Sequence, residues 1–484
     1  MRTRFPPSPT GFLHVGALRT ALYSYLVAKQ AKGTFYLRIE DTDRTRYMEG
    51  AVENFLRTLH AVGLDPDEGV MLEKGALTQR GNKGPYFQSE RLELYKEHVE
   101  KLIVGGNAYR CFCTSQRLDE MRKLQQEQSK PPMYDRLCLK LTPEEVKRRM
   151  EAGEPHVVRM MVPHERTIRF IDDIRGELTF QGHTIDDQVL LKSDGFPTYH
   201  LAHVVDDHLM ETDVVLRGEE WLSSLPKHLL LFSYFGWQVP RYAHVSLLLN
   251  SDRTKLSKRQ GDVAAEDYLA KGYLPEALIN FLAMLGWNPG TTQELFSLPE
   301  LIEAFSLDRV QKAGAIFDTE KLDWLQGQWM RRMPLQEFTS RIRPLVATRF
   351  PAAADDAKFE SHAALIQDRI TFFNEAPDML AFFYEDPKVT VELLANAKQK
   401  VTPELLPEIL SSLIATLEGI SNWNKEAILQ TAKAMGESKG WKLGQTLWPL
   451  RSSLTGREFS PGAPEVAEAL GKEETLKRLR AALR

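Results

Sequence analysis

The chain reads as a parallel α/β sheet interrupted by an α+β insertion and followed by an all-α module. Three observations predict this. Strand, helix and strand patterns follow one another within about the first 40 residues, a second α/β stretch runs from about 187 to 250, and from about residue 262 the periodicity is helical. At 484 residues the chain is too long for one hydrophobic core, so about two to four domains are expected.

Residues 2 to 5 are expected to form a short strand ending at Pro6. "GALRTALYSYLVAKQAKG" follows, with Leu18, Leu22, Tyr25 and Leu26 on one helical face and Gly33 as the stop. "TFYLRIEDTD" sets Phe35, Leu37 and Ile39 against Tyr36, Arg38 and Glu40, the alternation of a strand. Together these predict a right-handed βαβ unit and a parallel sheet. Such sheets bind ligands at the carboxyl ends of their strands, where Glu40, Asp41 and Asp43 fall. Residues 106 to 186 hold all three cysteines and a charged, helical centre, the mark of an insertion. Further on, Ser297 precedes Glu300 by three residues, a capping box, and "TPELLPEILSSLIATLEGI" and "GKEETLKRLRAALR" continue the helical pattern.

Composition excludes several classes. With 43% hydrophobic and 26% charged residues, this is an ordinary globular chain. A formal net charge of -4 gives no average attraction for a polyanion, so a nucleic-acid partner needs local basic patches. Three cysteines cannot form a full set of disulfides, which points to a reducing, cytoplasmic compartment. The N-terminus has prolines where a secretory signal has an apolar run. No run of about 18 apolar residues occurs, and no membrane partner is expected.

Two short stretches carry chemistry. "PPSPTGFLHVGALRTA" has neither a Walker lysine nor a G-x-G-x-x-G, but it sets His14 and Gly16 where a helix begins. A helix N-terminus offers unsatisfied N–H groups to phosphate, Gly16 permits close backbone approach, and His14 can donate to a phosphoryl oxygen. An isolated His-x-Gly is far more often just a capped turn, since such tripeptides occur by chance. "DRTKLSKRQGD" gathers Lys255, Lys258 and Arg259 around Ser257, and a lysine-rich loop alone is usually just solvated surface.

The pair, some 240 residues apart, resembles the two signatures of class I aminoacyl-tRNA synthetases. Ala17 stands where the general pattern has a second histidine, as is common in the glutamyl branch. "PSPTGFLHVGALRTAL", "RIEDTDRTRY", "GPYFQSERLELY", "LLKSDGFPTYHLAHVVDDHLM", "LRGEEWLSSLPKH" and "TKLSKRQGD" resemble bacterial-type glutamyl-tRNA synthetases, in that family's order. "FDTEKLDWLQGQW" and "WKLGQTLWPLRSSLTG" extend the likeness towards the C-terminus. "RFPP" is similar to glutaminyl enzymes, but Ser8, Thr10 and the helical final third resemble the glutamyl branch.

The resemblance implies a Rossmann-like catalytic domain over 1–105 and 187–254 and an inserted tRNA acceptor-binding domain over 106–186. It implies a stem-contact helical domain over 255–325 and a helical anticodon-binding region over 326–484. The implied activity is glutamate–tRNA ligation. Glutamate is activated by ATP to glutamyl-adenylate, then esterified to the terminal adenosine of tRNA(Glu), with tRNA(Gln) as a second candidate acceptor. A catalytically dead RNA-binding scaffold and a shorter paralogue that glutamylates a modified tRNA base are the alternatives. Arg4, Ser8, Glu40, Tyr199, His203 and Arg217 are implied at the glutamate, with His203 where some relatives carry Asn. His14, Gly16, Glu220, Leu248, Lys255, Ser257 and Lys258 are implied at ATP, with Mg²⁺ accompanying the triphosphate. Cys111, Cys113, Tyr134 and Cys138 resemble a zinc site of some members, with Lys140 where relatives place a histidine; unmetallated thiols are the alternative. Partners are tRNA(Glu), L-glutamate and ATP, and the expected state is a monomer.

Overall fold

Chain order in the first half gives β1 (Arg2–Phe5), α1 (Val15–Gln30), β2 (Thr34–Leu37), β3 (Glu68–Glu73), β4 (Ala76–Arg80), β5 (Ala108–Cys111), β6 (Val157–Met160), β7 (Thr167–Asp172), β8 (Gly176–Gln181) and β9 (Val189–Leu191). β10 (Val214–Gly218), β11 (Arg241–Val245), β12 (Leu248–Leu249) and β13 (Ala315–Ile316) complete the strands. This computed structural model describes residues 1–256 and 264–484, so Ser257 and Lys258 lie outside the described residues. The chain divides into two units, Met1–Lys271 with Pro275–Thr319, and Gly272–Leu274 with Glu320–Arg484.

The main sheet of the first unit has the order β11-β10-β1-β2-β3-β4. All neighbours are parallel except the β3–β4 hairpin. α1 crosses between β1 and β2, burying Leu18, Leu22 and Leu26 completely. It ends at Gln30, three residues short of the expected glycine stop. The alternation expected along "TFYLRIE" does not translate into one wet face. Phe35, Tyr36, Leu37, Arg38, Ile39 and Glu40 are all buried, because a parallel sheet is covered on both sides. The polar members of the run therefore need partners inside the protein, and that need builds the site.

The insertion contributes the three-stranded sheet β5-β6-β9 and the separate β7–β8 hairpin. β9 pairs antiparallel with β6, so the main sheet resumes only with β10, after the helix Tyr199–Leu209. The hairpin returns to the sheet, where Asp173 N donates to the Tyr242 carbonyl of β11 at 2.9 Å.

The second unit contains no strand and is built of helices around Leu406, Ile409, Leu410, Leu413, Ile428, Leu450, Val466 and Leu479. In the first unit, the Ser297–Glu300 capping box forms as expected, with hydrogen bonds in both directions. No helix among the described residues is long and apolar enough to cross a membrane.

Candidate active site

β1 has β2 on one side and β10 on the other, and the chain leaves these two strands in different directions. This is the switch point at which an open α/β sheet forms a crevice. A cavity of about 520 Å³ lies there, within the ordinary range for a small-molecule site. Arg4, Ser8, His14, Gly16, Glu40, Tyr199, Arg217, Glu220, Leu248 and Lys255 all line it. His203 does not: it is completely buried and stacked behind the Tyr199 ring at 5.2 Å. Asp41 and Asp43 are taken by local structure, Asp41 by the Ser89 backbone N–H and hydroxyl, Asp43 by Thr45 and Arg46.

At one end of the cavity α1 begins. His14 is its N-cap, and Nδ1 accepts the Gly16 N–H at 3.0 Å. The neutral ring therefore carries its proton on Nε2, as a donor. A Cβ on Gly16 would stand 3.2 Å from His14 Nδ1, a tight contact that would press on the capping imidazole. Buried Arg19 donates to the carbonyls of Leu285 and Ser246, pinning the chain that follows β11. A Cβ on Gly218 would lie 2.1 Å from the Glu220 carboxylate, so glycine is what lets Glu220 fold back over the end of β10.

At the other end are arginines. Arg4, 1% exposed, donates Nε to Asp207 at 3.1 Å and Nη1 to the Leu216 carbonyl at 3.3 Å. Its Nη2 lies 3.3 Å from His203 Nδ1, which is itself 3.1 Å from Asp207. Arg38 bridges Asp207 at 2.7 Å and Glu40 at 3.0 Å. Asp206 is held by Arg91 at 2.7 Å and by Gln88 and Tyr95, each at 2.8 Å. Burial pushes the Glu40 carboxyl up to about 7, although Arg38 and Arg4 pull it back. Burial would raise Asp207 as well, but Arg4 and Arg38 hold it below the usual carboxylate range.

Arg217 differs from the other arginines. Its Nε meets His244 Nε2 at 2.9 Å, and its Nη1 meets the Tyr199 hydroxyl and His228 Nδ1, each at 3.1 Å. The Tyr242 ring lies 4.9 Å below the guanidinium. His228 Nε2 continues to His200 Nδ1 at 3.1 Å. Burial and the neighbouring cations push His200 down to about 3, and burial above all drives His228 well below its ordinary value, so both rings are neutral. Among the described residues no carboxylate pairs with Arg217. Neutral acceptors fix its position and leave its charge uncompensated in the cavity wall, an arrangement suited to an anion.

The sequence reading missed Arg38, Asp206, Asp207, His228 and His244. The "HVVDDH" run of the helix Tyr199–Leu209 carried a signal: polar residues at helical spacing among valines are costly to bury without partners.

Away from the cavity, β5 and the turn 137–140 bring three sulfurs together within 4.8 Å of one another. Cys113 and Cys138 are 3.6 Å apart, and the Tyr134 hydroxyl is 3.3 Å from both Cys111 and Cys113. Tetrahedral zinc with bonds of about 2.3 Å needs ligand sulfurs about 3.8 Å apart, so this donor set fits the ion. Hydrogen bonding from Cys138 draws the Cys111 thiol down to about 4 against its burial, which favours a thiolate. Lys140 is exposed on the turn.

A helix start and an arginine-lined pocket meet at one switch point, with a thiol cluster in the insertion, and the family comparison places this arrangement in a class I synthetase catalytic domain. Residues 1–324 match the family model described as tRNA synthetases class I (E and Q), catalytic domain, and residues 337–483 match an anticodon binding domain. The chain belongs to this family. Within it, the chain is similar to the glutamate–tRNA ligase of Chlorobium luteolum (strain DSM 273 / BCRC 81028 / 2530), 46% identical over 497 residues, covering 99% of this chain and 97% of that one. The glutamate–tRNA ligase of Alkaliphilus metalliredigens (strain QYMF) is 42% identical over 485 residues, covering 99% and 98%. A crystal structure of a glutamate tRNA ligase from Elizabethkingia meningosepticum CCUG26117, in complex with its amino acid, superposes with a TM-score of 0.86 at 36% identity, covering 100% of this chain and 99% of that chain.

Proposed function

We propose that the protein is a glutamate–tRNA ligase. One observation carries the amino-acid site: buried Arg217, held by neutral acceptors, keeps its charge for a carboxylate in the cavity that also contains Glu40, and the likeness to glutamate–tRNA ligases supports glutamate as the occupant. Arg4 is already paired with Asp207, which makes it the weaker anchor and Arg217 the stronger. Glu40 takes the substrate ammonium, and Ser8 and Tyr199 supply hydroxyl hydrogen bonds. His203 acts from behind, through Arg4 and Tyr199.

The first step joins the glutamate α-carboxylate to the α-phosphate of ATP and expels pyrophosphate. In the second, the hydroxyl of the tRNA's terminal ribose attacks the glutamyl carbonyl and AMP leaves. The protein's work is positioning and stabilisation of phosphate charge. The α1 N-terminus, the His14 Nε2–H and Lys255 face the phosphates, Gly16 lets them approach the backbone, and Glu220 and the backbone at Leu248 hold the nucleoside. Ser257 and Lys258 join them on the sequence signature. Glu40 is tied to Arg38, so Mg²⁺ would be held by phosphate oxygens and water. Cys111, Cys113 and Cys138 would hold zinc with Tyr134 as the fourth group, and the ion would tie β5 to the turn 137–140.

Residues 337–483, which match the anticodon model, would meet tRNA(Glu), and the enzyme would act as a cytoplasmic monomer. The test is ATP–pyrophosphate exchange with glutamate, with and without tRNA(Glu). Glutamate-dependent exchange is expected. Absence of exchange under both conditions contradicts the reading. Charging tRNA(Glu) and tRNA(Gln) separately decides whether the second is also a substrate.

A further inference from the structure

The tip of the β7–β8 hairpin reaches back to the amino-acid end of the cavity. Asp172 is 1% exposed. Its Oδ1 accepts the backbone N–H groups of Arg175 at 2.9 Å, Ile174 at 3.0 Å and His244 at 3.3 Å. Its Oδ2 is 2.6 Å from His244 Nδ1. On the far side of that ring, Nε2 receives the Arg217 Nε–H at 2.9 Å. His244 stands beside Arg217 in the parallel register of β10 and β11. Arg175 ties down the same tip, donating to the His244 carbonyl at 3.1 Å and pairing with Glu219 at 2.7 Å.

The chemistry of these three groups admits one proton arrangement. A carboxylate only accepts, so Nδ1 must carry the ring proton; a guanidinium only donates, so Nε2 must be bare. Burial lowers His244, and although burial would raise Asp172, the His244 N–H and the backbone donors hold it down. The pair is therefore an ionised acid beside a neutral ring. A carboxylate placed directly on Arg217 would fix the guanidinium equally well but neutralise it. One ring further away, it fixes the geometry and leaves the charge for the substrate.

We propose that Asp172 is a positioning residue for the amino-acid site, holding His244 in the Nδ1–H tautomer so that its Nε2 orients Arg217. The proposal rests on the reading of Arg217 as the substrate carboxylate's anchor. In Asp172→Asn the amide oxygen can still take the hairpin N–H groups, but its NH₂ meets Nδ1. The ring then shifts its proton to Nε2, and donor faces donor at Arg217.

The experiment measures KM for glutamate and for ATP by pyrophosphate exchange in wild type, Asp172→Asn, His244→Phe and the double variant. Wild-type exchange with glutamate in the presence of tRNA(Glu) is established first, and all variants are measured under that condition; its absence counts against the assigned activity, not against the role of Asp172. Asp172→Asn is expected to raise KM for glutamate at least tenfold and leave KM for ATP within twofold. The double variant should match His244→Phe within twofold, because Asp172 acts only through the ring. The proposal is overturned if Asp172→Asn leaves KM for glutamate within twofold, if both KM values rise together, or if the two substitutions multiply. If His244→Phe does not fold, the KM split in Asp172→Asn decides alone.

Discussion

Glutamate binding should depend on pH through Glu40. The group is 8% exposed, and its burial raises it to about 7 despite Arg38 and Arg4. A substrate ammonium needs the ionised carboxylate. At a value of about 7, roughly 90% of sites are ionised at pH 8 and roughly 10% at pH 6, so affinity should fall about tenfold as pH drops between them. Burial lowers His200, His203, His228 and His244, which moves the surrounding histidines away from this window. Calorimetry with glutamate alone isolates the step from the titration of ATP. Repeating it in buffers of different ionisation enthalpy should reveal nearly one proton released per glutamate bound at pH 6 and almost none at pH 8. Glu40→Gln should bind more weakly and lose the pH dependence. A Kd that is flat from pH 6 to 8, or that tightens towards acid, refutes the assignment of Glu40 to the ammonium.

Three further outcomes are expected. Arg217→Met removes charge-assisted hydrogen bonds to a carboxylate, about 1.5–3 kcal/mol, and should raise KM for glutamate about 10- to 150-fold with KM for ATP unchanged; an unchanged KM for glutamate contradicts the anchor. Lys258→Ala should slow adenylate formation at least tenfold, about 1.4 kcal/mol, in a single-turnover assay, and an unchanged rate rejects its phosphate role. The chain purified without chelators should carry about one zinc by elemental mass spectrometry, and Cys138→Ser should lose the ion and melt earlier; a metal-free wild type rules the site out.

The helix start at one end of the cavity was legible because it is local. A capped helix start at His14 and Gly16 can be read from a few neighbouring residues, and the helical final third from its periodicity. The arginine-lined end of the cavity was legible only in its lining. Arg4 with Asp207, Asp206 with Arg91, and His244 with Asp172 pair residues far apart in sequence; the "HVVDDH" run signals that partners are needed, but nothing local says which. The run from Phe35 to Glu40 misled in an instructive way. Its alternation is real, yet both faces are covered, and the inward polar side chains became the buried network instead of a wet surface. His203 was expected at the substrate; its buried ring lies behind the cavity wall, against Arg4 and Tyr199.

The central claim is that glutamate is esterified to the terminal adenosine of tRNA(Glu). Charging with labelled glutamate, using unmodified tRNA(Glu) transcripts with and without that adenosine, tests it most directly. ATP-dependent charging of the intact transcript and none of the truncated one is predicted. Labelling that survives truncation, or no labelling of either transcript, contradicts it.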